Sequence, residues 1–397
     1  MTTAFYDVVC LINRTNKRKT VNTLEGDHIK INHWLTPLSW LYGLGVGIRN
    51  VMFDCKMLPS VKFDVPVICV GNITVGGTGK TPHTEYLMRL LSPDHQVAVL
   101  SRGYKRKSKG YVLADADTPM EMVGDEPYQM KHKFPDAHVA VDRDRCNGIR
   151  NLLGSSVQPP VDVVILDDAY QHRYVTPGLI LLLMDYHRLV CFDKLLPAGR
   201  LREHKVNMRR ADVVIVTKCP KTIKPMEIRG IERSLGLYTW QKLFFTYFRY
   251  GKLYPLFDKS KPELELRDLK DGEKSVMLLT GIASPQQMEY DLEKYTDFVP
   301  LHFSDHHDFD YKDLCDIERT FDSLPHGRKI IVTTEKDSVR LMNCRLREDV
   351  ADSIYVLPVE VAFMNGKKEE FNKIITGYVH KDSRNSSVPQ RTDEHKA

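Results

Sequence analysis

The apolar run "VPVICV" at residues 65 to 70 leads directly into "GNITVGGTGKTP" at 71 to 82. A strand, a glycine-rich turn and a helix start follow one another. Chains adopt that order where backbone N–H groups wrap an anion, because glycines allow close approach and the helix N-terminus adds its dipole. The phosphate-loop pattern is G-x-x-x-x-G-K-[ST]. Gly79, Lys80 and Thr81 match its end. Thr74 stands where its first glycine falls, and Gly76 and Gly77 supply the turn instead. The expected cradle comprises Thr74, Val75, Gly76, Gly77, Thr78, Gly79, Lys80 and Thr81. Lys80 would reach the β- and γ-phosphates of ATP, and the Thr81 hydroxyl would hold Mg²⁺. Pro82 suits a first helical turn.

Further apolar runs follow at helix-length intervals: "VAVLS", "HVAV", "VDVVILDD", "ILLLMD" and "ADVVIVTK". Such runs, rich in Val, Ile and Leu, are strands buried on both faces of a parallel sheet. The expected fold is α/β: a P-loop NTPase-like three-layer domain with a mostly parallel sheet and ligands at the strands' carboxyl ends. The rhythm changes near residue 222. "LFFTYFRYGKLYPLF" reads as a β-hairpin turning at Tyr250–Gly251, and later runs give a smaller second α/β lobe. The expected division is an extension over 1–27, an apolar helix over 28–58, a core domain over 59–222, a second lobe with hairpin over 223–378, and a disordered tail over 379–397.

A magnesium-bound nucleotide needs a carboxylate at the end of another strand. "VDVVILDDAYQHR" offers Asp167 and Asp168 directly after a buried run. Two adjacent carboxylates there are costly unless a cation neutralises them. One reads as the Mg²⁺ partner, the other as lying behind it or facing a substrate. A helix-capping role would account for one of the two.

With 57 Lys+Arg against 52 Asp+Glu, the formal charge of +5 suits an anionic substrate or membrane surface and equally an ordinary soluble one. It falls far short of a nucleic-acid binder. The eight cysteines form no C-x-x-C pair, so reduced thiols, a cytosolic setting and no structural zinc are expected. No secretory signal is visible at the N-terminus.

Residues 31 to 53, "INHWLTPLSWLYGLGVGIRNVMF", carry no charge from Ile31 to Ile48 and hold Trp34 and Trp40. Pro37 and three glycines argue against a spanning helix. The pattern leaves two readings open: a core helix, or a helix lying in a membrane interface with tryptophans at headgroup level.

Five more stretches complete an ordered set: "SRGYKR" (101 to 106), "GDEPYQM" (124 to 130), "LPAGRLRE" (196 to 203), "DHHDF" (305 to 309) and "TTEKDSVRL" (333 to 341). With "TVGGTGKTP" and "DDAYQHR", the chain resembles the tetraacyldisaccharide 4'-kinases from about residue 33 to 375. The family's motifs run close to GGTGKTP, SRGYG, GDEP, DDGFQ, LPAGxLRE, DHH and TEKDAVKL. Lys105 stands where SRGYG ends in glycine, and Ala169–Tyr170 replaces Gly–Phe.

The resemblance implies ATP-dependent phosphorylation of the 4'-hydroxyl of a tetraacylated glucosamine disaccharide 1-phosphate, a lipid A precursor. It implies a peripheral enzyme at the cytoplasmic face of the bacterial inner membrane, without nucleic acid or an obligate protein partner. It favours the membrane-interface reading of residues 31 to 53. It also implies Asp125 as the base that takes the hydroxyl proton and His306 as its partner, chemistry that suits a weak sugar nucleophile. Glu126 would be a carboxylate on the metal's side or lying behind its direct partners. Arg102, Gln171, Arg200 and Arg202 are candidates for substrate contact, guanidinium forks being suited to phosphates, with structural salt bridges as the alternative. Three other functions compete. A partner-activated P-loop ATPase would carry a signature lysine where this chain has Val75. A nucleotide switch has no use for a second acid–histidine pair, and a kinase of a soluble metabolite none for the tryptophan-bearing helix.

Overall fold

A computed structural model describes residue 29 and residues 31–386, except 271–273, 283–284 and 326, with backbone alone for 382–386. The expected extension over 1–27 lies outside the described residues, as do the last residues, 387–397. The strands are β1 (Val67–Gly71), β2 (Val97–Ser101), β3 (Val112–Ala114), β4 (His138–Val141), β5 (Val163–Asp167), β6 (Leu179–Asp185) and β7 (Val213–Thr217). They continue as β8 (Lys242–Tyr250), β9 (Tyr254–Pro255), β10 (Lys274–Thr280), β11 (Phe298–His302), β12 (Arg328–Thr334), β13 (Ile354–Leu357) and β14 (Val359–Phe363). The principal helices are α1 (Thr36–Asp54), α2 (Lys80–Leu91), α3 (Asp125–Lys133), α4 (Arg145–Leu152), α5 (Pro225–Leu235), α6 (Gln286–Leu292), α7 (Tyr311–Ser323), α8 (Glu335–Leu341) and α9 (Lys368–Ser386).

The larger sheet runs β14-β8-β7-β6-β1-β5-β2-β4-β3, parallel except for its two edge strands. Side chains alternate across it, as the pleat requires. Ile68, Val70, Val99 and Ile165 face α2 and α9, packing with Leu87, Met88, Phe371 and Ile375. Cys69, Ala98, Leu100 and Leu166 face α4, packing with Cys146 and Ile149. Three layers result, with β1 and β5 paired at the centre so that Asp167 ends opposite Val70, at the root of the phosphate loop. The smaller sheet runs β11-β10-β12-β13-β9, and the first four strands are parallel.

Three expectations are corrected. Residues 243 to 256 form no hairpin. β8 pairs with β7 and β14 in the large sheet, whereas β9 pairs with β13 in the small one. Gly251 marks the crossing between sheets, and its N–H donates to the Pro358 carbonyl at 3.0 Å. For the same reason the boundary at 222/223 does not divide the lobes. β8, β14 and α9 belong to the core, because their apolar faces complete its buried layer. Finally, residues 379–386 are helical, not a disordered tail, since Val379 is buried against that layer.

Candidate active site

The phosphate loop joins β1 to α2. Gly76 and Gly79 have φ of 116° and 81°, conformations that side-chain-bearing residues seldom adopt. A Cβ at Gly79 would also meet the Phe248 ring at 3.0 Å. Neighbours hold the loop. Asn72 donates to the Thr78 hydroxyl at 2.8 Å, and the Thr217 hydroxyl donates to the Thr78 carbonyl at 2.9 Å. His83 bonds the Gly79 carbonyl through Nδ1 and the Thr246 hydroxyl through Nε2. Burial pushes its pKa down to about 4, so it is a neutral strut between α2 and β8.

The loop carrying Arg200 and Arg202 is stitched to the phosphate loop as a short antiparallel bridge. Val75 N–H donates to the Arg200 carbonyl (2.8 Å) and Arg202 N–H to the Ile73 carbonyl (2.7 Å). Arg202 reaches both Asp168 oxygens, at 3.2 and 3.3 Å, and Gln171 Oε1 at 3.4 Å. Gln171 in turn donates to the Asn72 carbonyl at 2.8 Å, so it braces the phosphate loop. Arg200 is exposed, with its guanidinium beside Gly76. Arg102 is exposed too, and its charge reaches the buried Arg145.

Behind this loop lies α1, with the usual amphipathic order inverted. Its inward face is polar up to Asn50, with Phe53 buried at its end. Ser39 bonds the Leu195 carbonyl and the Ala198 N–H, Tyr42 donates to the Arg202 carbonyl, and Asn50 donates to Glu203. Its outward face is apolar: Trp40 is 73% exposed and Leu41 68%, with Leu38, Leu44 and Ile48 also exposed, and Trp34 in the turn just before α1 is 94% exposed. No described helix is long and apolar enough to cross a membrane.

Asp167 and Asp168 play different parts. Asp168 sits at φ 46° beside Lys80 (3.7 Å) and Arg202. Burial works to raise its pKa, but Lys80 and Arg202 outweigh it and hold the carboxyl below the ordinary range. Asp167 is fully buried and takes hydroxyl bonds from Thr84 (3.1 Å) and Ser101 (3.4 Å). Burial, then the charges of Glu126 and Asp168, push it up to about 7. Asp167 resists ionisation while Asp168 is held ionised by Lys80 and Arg202, so a divalent cation at this strand end would favour the charged form of Asp167. These carboxylates, and the Thr81 hydroxyl in the first turn of α2, are hard oxygen donors of the kind Mg²⁺ takes.

The second lobe brings His306 against Asp125, 181 residues away. Asp125 opens α3, and its Oδ2 accepts from His306 Nδ1 (2.9 Å) and from Arg340 Nε (3.0 Å) and Nη2 (2.5 Å). Burial works to raise this carboxyl, but the hydrogen bonds from His306 and Arg340 and the guanidinium charge outweigh it, so it stays ionised. His306 itself has φ 56°. The Lys336 ammonium lies 3.1 Å from its Nε2, Lys105 donates to its carbonyl at 2.9 Å, and the Tyr104 ring meets its edge. Since an ammonium can only donate, Nε2 accepts and Nδ1 carries the proton toward Asp125. His307 instead bonds Asp313 (2.7 Å) and stacks on Phe303, a structural part.

Asp125, beside Glu126 at the start of α3, meets His306 of the second lobe, the Glu126 charge reaches Asp167 at the end of β5, and Asp168 meets Lys80 of the phosphate loop. Sequence reading passed over Arg340, Lys336, Arg145 and His83. The first two had a signal: four apart in "TEKDSVR", they share one face of α8. His83 and Arg145 had none, because their partners are backbone carbonyls and a distant hydroxyl.

A glycine-rich loop closing on Lys80 and Thr81, carboxylates at the adjoining strand end and an acid–histidine pair facing them define a P-loop kinase. Residues 31–380 match the family described as tetraacyldisaccharide-1-P 4'-kinase, LpxK, and the chain belongs to that family. It is 56% identical over 366 residues to the tetraacyldisaccharide 4'-kinase of Phocaeicola vulgatus, covering 92% of this chain and 100% of that one. To the Bacteroides fragilis enzyme of the same name it is 51% identical over 378 residues, covering 94% and 100%. The crystal structure of LpxK from Aquifex aeolicus in complex with ATP shares 30% identity and superposes with a TM-score of 0.67, covering 88% of this chain and 99% of that one.

Proposed function

We infer that the chain transfers the γ-phosphoryl group of ATP to the 4'-hydroxyl of a tetraacylated glucosamine disaccharide 1-phosphate, a step of lipid A biosynthesis. The observation that carries this reading is the full-length likeness to relatives named for that activity.

The residues divide the work. Phosphoryl transfer passes through a loose transition state, so catalysis is mostly positioning and charge stabilisation. The phosphate loop and Lys80 hold the triphosphate. Mg²⁺, taken by Thr81, Asp167 and Glu126, would neutralise phosphate charge. Asp168, already engaged by Lys80 and Arg202, steadies those two cations. Asp125 orients the acceptor hydroxyl and takes its proton. A carboxylate held this low is a weak base, which suits a reaction whose nucleophile loses its proton late. His306 and Arg340 fix its direction by occupying Oδ2. Arg102, Arg200 and Arg202 line the cleft where an anionic headgroup would lie.

The outward face of α1 supports a membrane-bound acceptor. A row of exposed Trp and Leu on a helix fixed by polar contacts is a surface made to enter a lipid interface. The protein would sit peripherally at the cytoplasmic face of the inner membrane, with α1 joined through the arginine loop to the phosphate loop.

Two experiments test this. Purified protein given labelled ATP and detergent-solubilised lipid disaccharide should phosphorylate the lipid and spare a soluble glucosamine control. Preference for the soluble sugar would overturn the lipid assignment. Replacing Trp34, Leu38 and Leu41 with Ser should release the protein from vesicles with little change in unfolding temperature, because these side chains are exposed. Unfolding of that variant, or undiminished flotation with vesicles, would remove the interface role.

A further inference from the structure

Three helices bring their N-terminal ends to the cleft. α2 begins with Lys80 and Thr81, α3 begins with Asp125, and α8 carries Lys336 and Arg340. One residue ties all three together away from the chemistry. Lys133, the last residue of α3, places its ammonium 2.6 Å from Glu85 of α2 and 2.7 Å from Glu335 of α8. Both carboxylates are largely buried, and their remaining oxygens are occupied. Gln129 donates to Glu85 at 2.7 Å, and the Val359 N–H donates to Glu335 at 3.2 Å.

We propose that Lys133 is a positioning residue: its ion triad with Glu85 and Glu335 sets Asp125 against the phosphate loop and holds the second lobe in register with both. This rests on the reading of Asp125 as the group that accepts the hydroxyl proton. α3 is only nine residues long and is held at both ends by charge. Arg340 and His306 grip Asp125 at its start, and Glu85 and Glu335 grip Lys133 at its finish. Each grip includes a group from α8. A short helix pinned at one end can swing about that end; pinned at both it has one orientation. Arg340 and His306 tie Asp125 to the second lobe, while Gln129 and the buried Met130 tie the middle of α3 to α2. Through Lys133, Glu85, five residues beyond Lys80, joins those two ties in one charged cluster. Near-attack geometry is sensitive on this scale, and a displacement of about 1 Å can cost on the order of 10²-fold in rate.

The experiment uses the full chain with ATP and the solubilised lipid acceptor, below the unfolding midpoint of every variant. Rates are expressed per nucleotide-binding site, so a partly unfolded sample still reports. Lys133→Met should lower kcat and also the unfolding temperature, because it strands two buried carboxylates. Lys133→Met combined with Glu85→Gln and Glu335→Gln removes that charge penalty. The triple variant should regain most of the unfolding temperature yet keep kcat about tenfold or more below wild type, with the KM for ATP nearly unchanged. In an Asp125→Asn background the same triple change should cost little further, since both act on one group. Recovery of kcat along with stability would reduce the triad to a stabilising ion cluster and overturn the proposal. So would a full additional loss in the Asp125→Asn background. Wild-type rates for Asp125→Asn alone would instead sink the reading of Asp125, and with it the basis of this one.

Discussion

Lys80→Ala should lower kcat by about 10²–10³-fold or more, the range seen when a fixed donor to developing negative charge is removed. Two effects combine. The γ-phosphate loses the cation that α2 presents to it, and Asp168 loses the ammonium 3.7 Å away. Asp168 is held below the usual carboxylate range by Lys80 first and Arg202 second, so without Lys80 it becomes a competing charge beside the phosphates. Arginine should not restore the rate, since its planar fork cannot replace a compact ammonium inside a tight loop. Thr81→Ala should lower kcat comparably by removing the hydroxyl expected on Mg²⁺. Lys80 is partly exposed and Thr81 packs no core, so thermal unfolding should move little. Turnover within tenfold of wild type in both variants would remove the phosphate-loop assignment.

Asp125→Asn should lower kcat by about 10²–10⁴-fold, the usual contribution of general-base catalysis, with little change in the KM for ATP. The amide keeps an oxygen for Arg340, so the fold should survive. His306→Ala should cost less alone, and the two together less than the product of their separate losses. Arg340→Met probes the same group from its other side. It leaves Asp125 without the guanidinium that makes two of its three bonds, and breaking a buried pair of this kind costs about 3–5 kcal/mol. Adding Asp125→Asn should return part of that stability and none of the activity. The competing account gives Asp125 a role in organising Mg²⁺. It requires that excess Mg²⁺ rescue Asp125→Asn and that the Asp125 and His306 losses multiply independently. Seeing both would move proton acceptance elsewhere, to Asp168 or a phosphate oxygen.

Much of this architecture can be read from the chain. "VICV", "VAVL" and "VVILD" are continuous apolar runs because both sheet faces are covered, and their shortness and β-branched content mark them as strands. The phosphate loop is legible because a tight anion cradle demands glycine at positive φ and the Lys–Thr pair directly after it. The aspartate pair is legible from its place at a strand end. In each case local chemistry decides, and the residues concerned are neighbours in sequence.

Tertiary structure decided what depends on distant partners. "LFFTYFRYGKLYPLF" has the pattern of a hairpin, yet its halves pair not with each other but with β7 and β14 on one side and β13 on the other, and Gly251 serves a crossing between sheets. Residues 359–386 return to a core that the chain left near residue 250, because only there do Phe371 and Ile375 find apolar partners. The orientation of α1 was open in sequence, since Trp and Leu at helical spacing describe a core helix equally well. Ser39, Tyr42 and Asn50 settled it by bonding inward to the arginine loop. The Asp125 clamp needed the fold most of all. Its two partners lie 181 and 215 residues away, and no local propensity announces a bond that exists only when two sheets bring their carboxyl ends together.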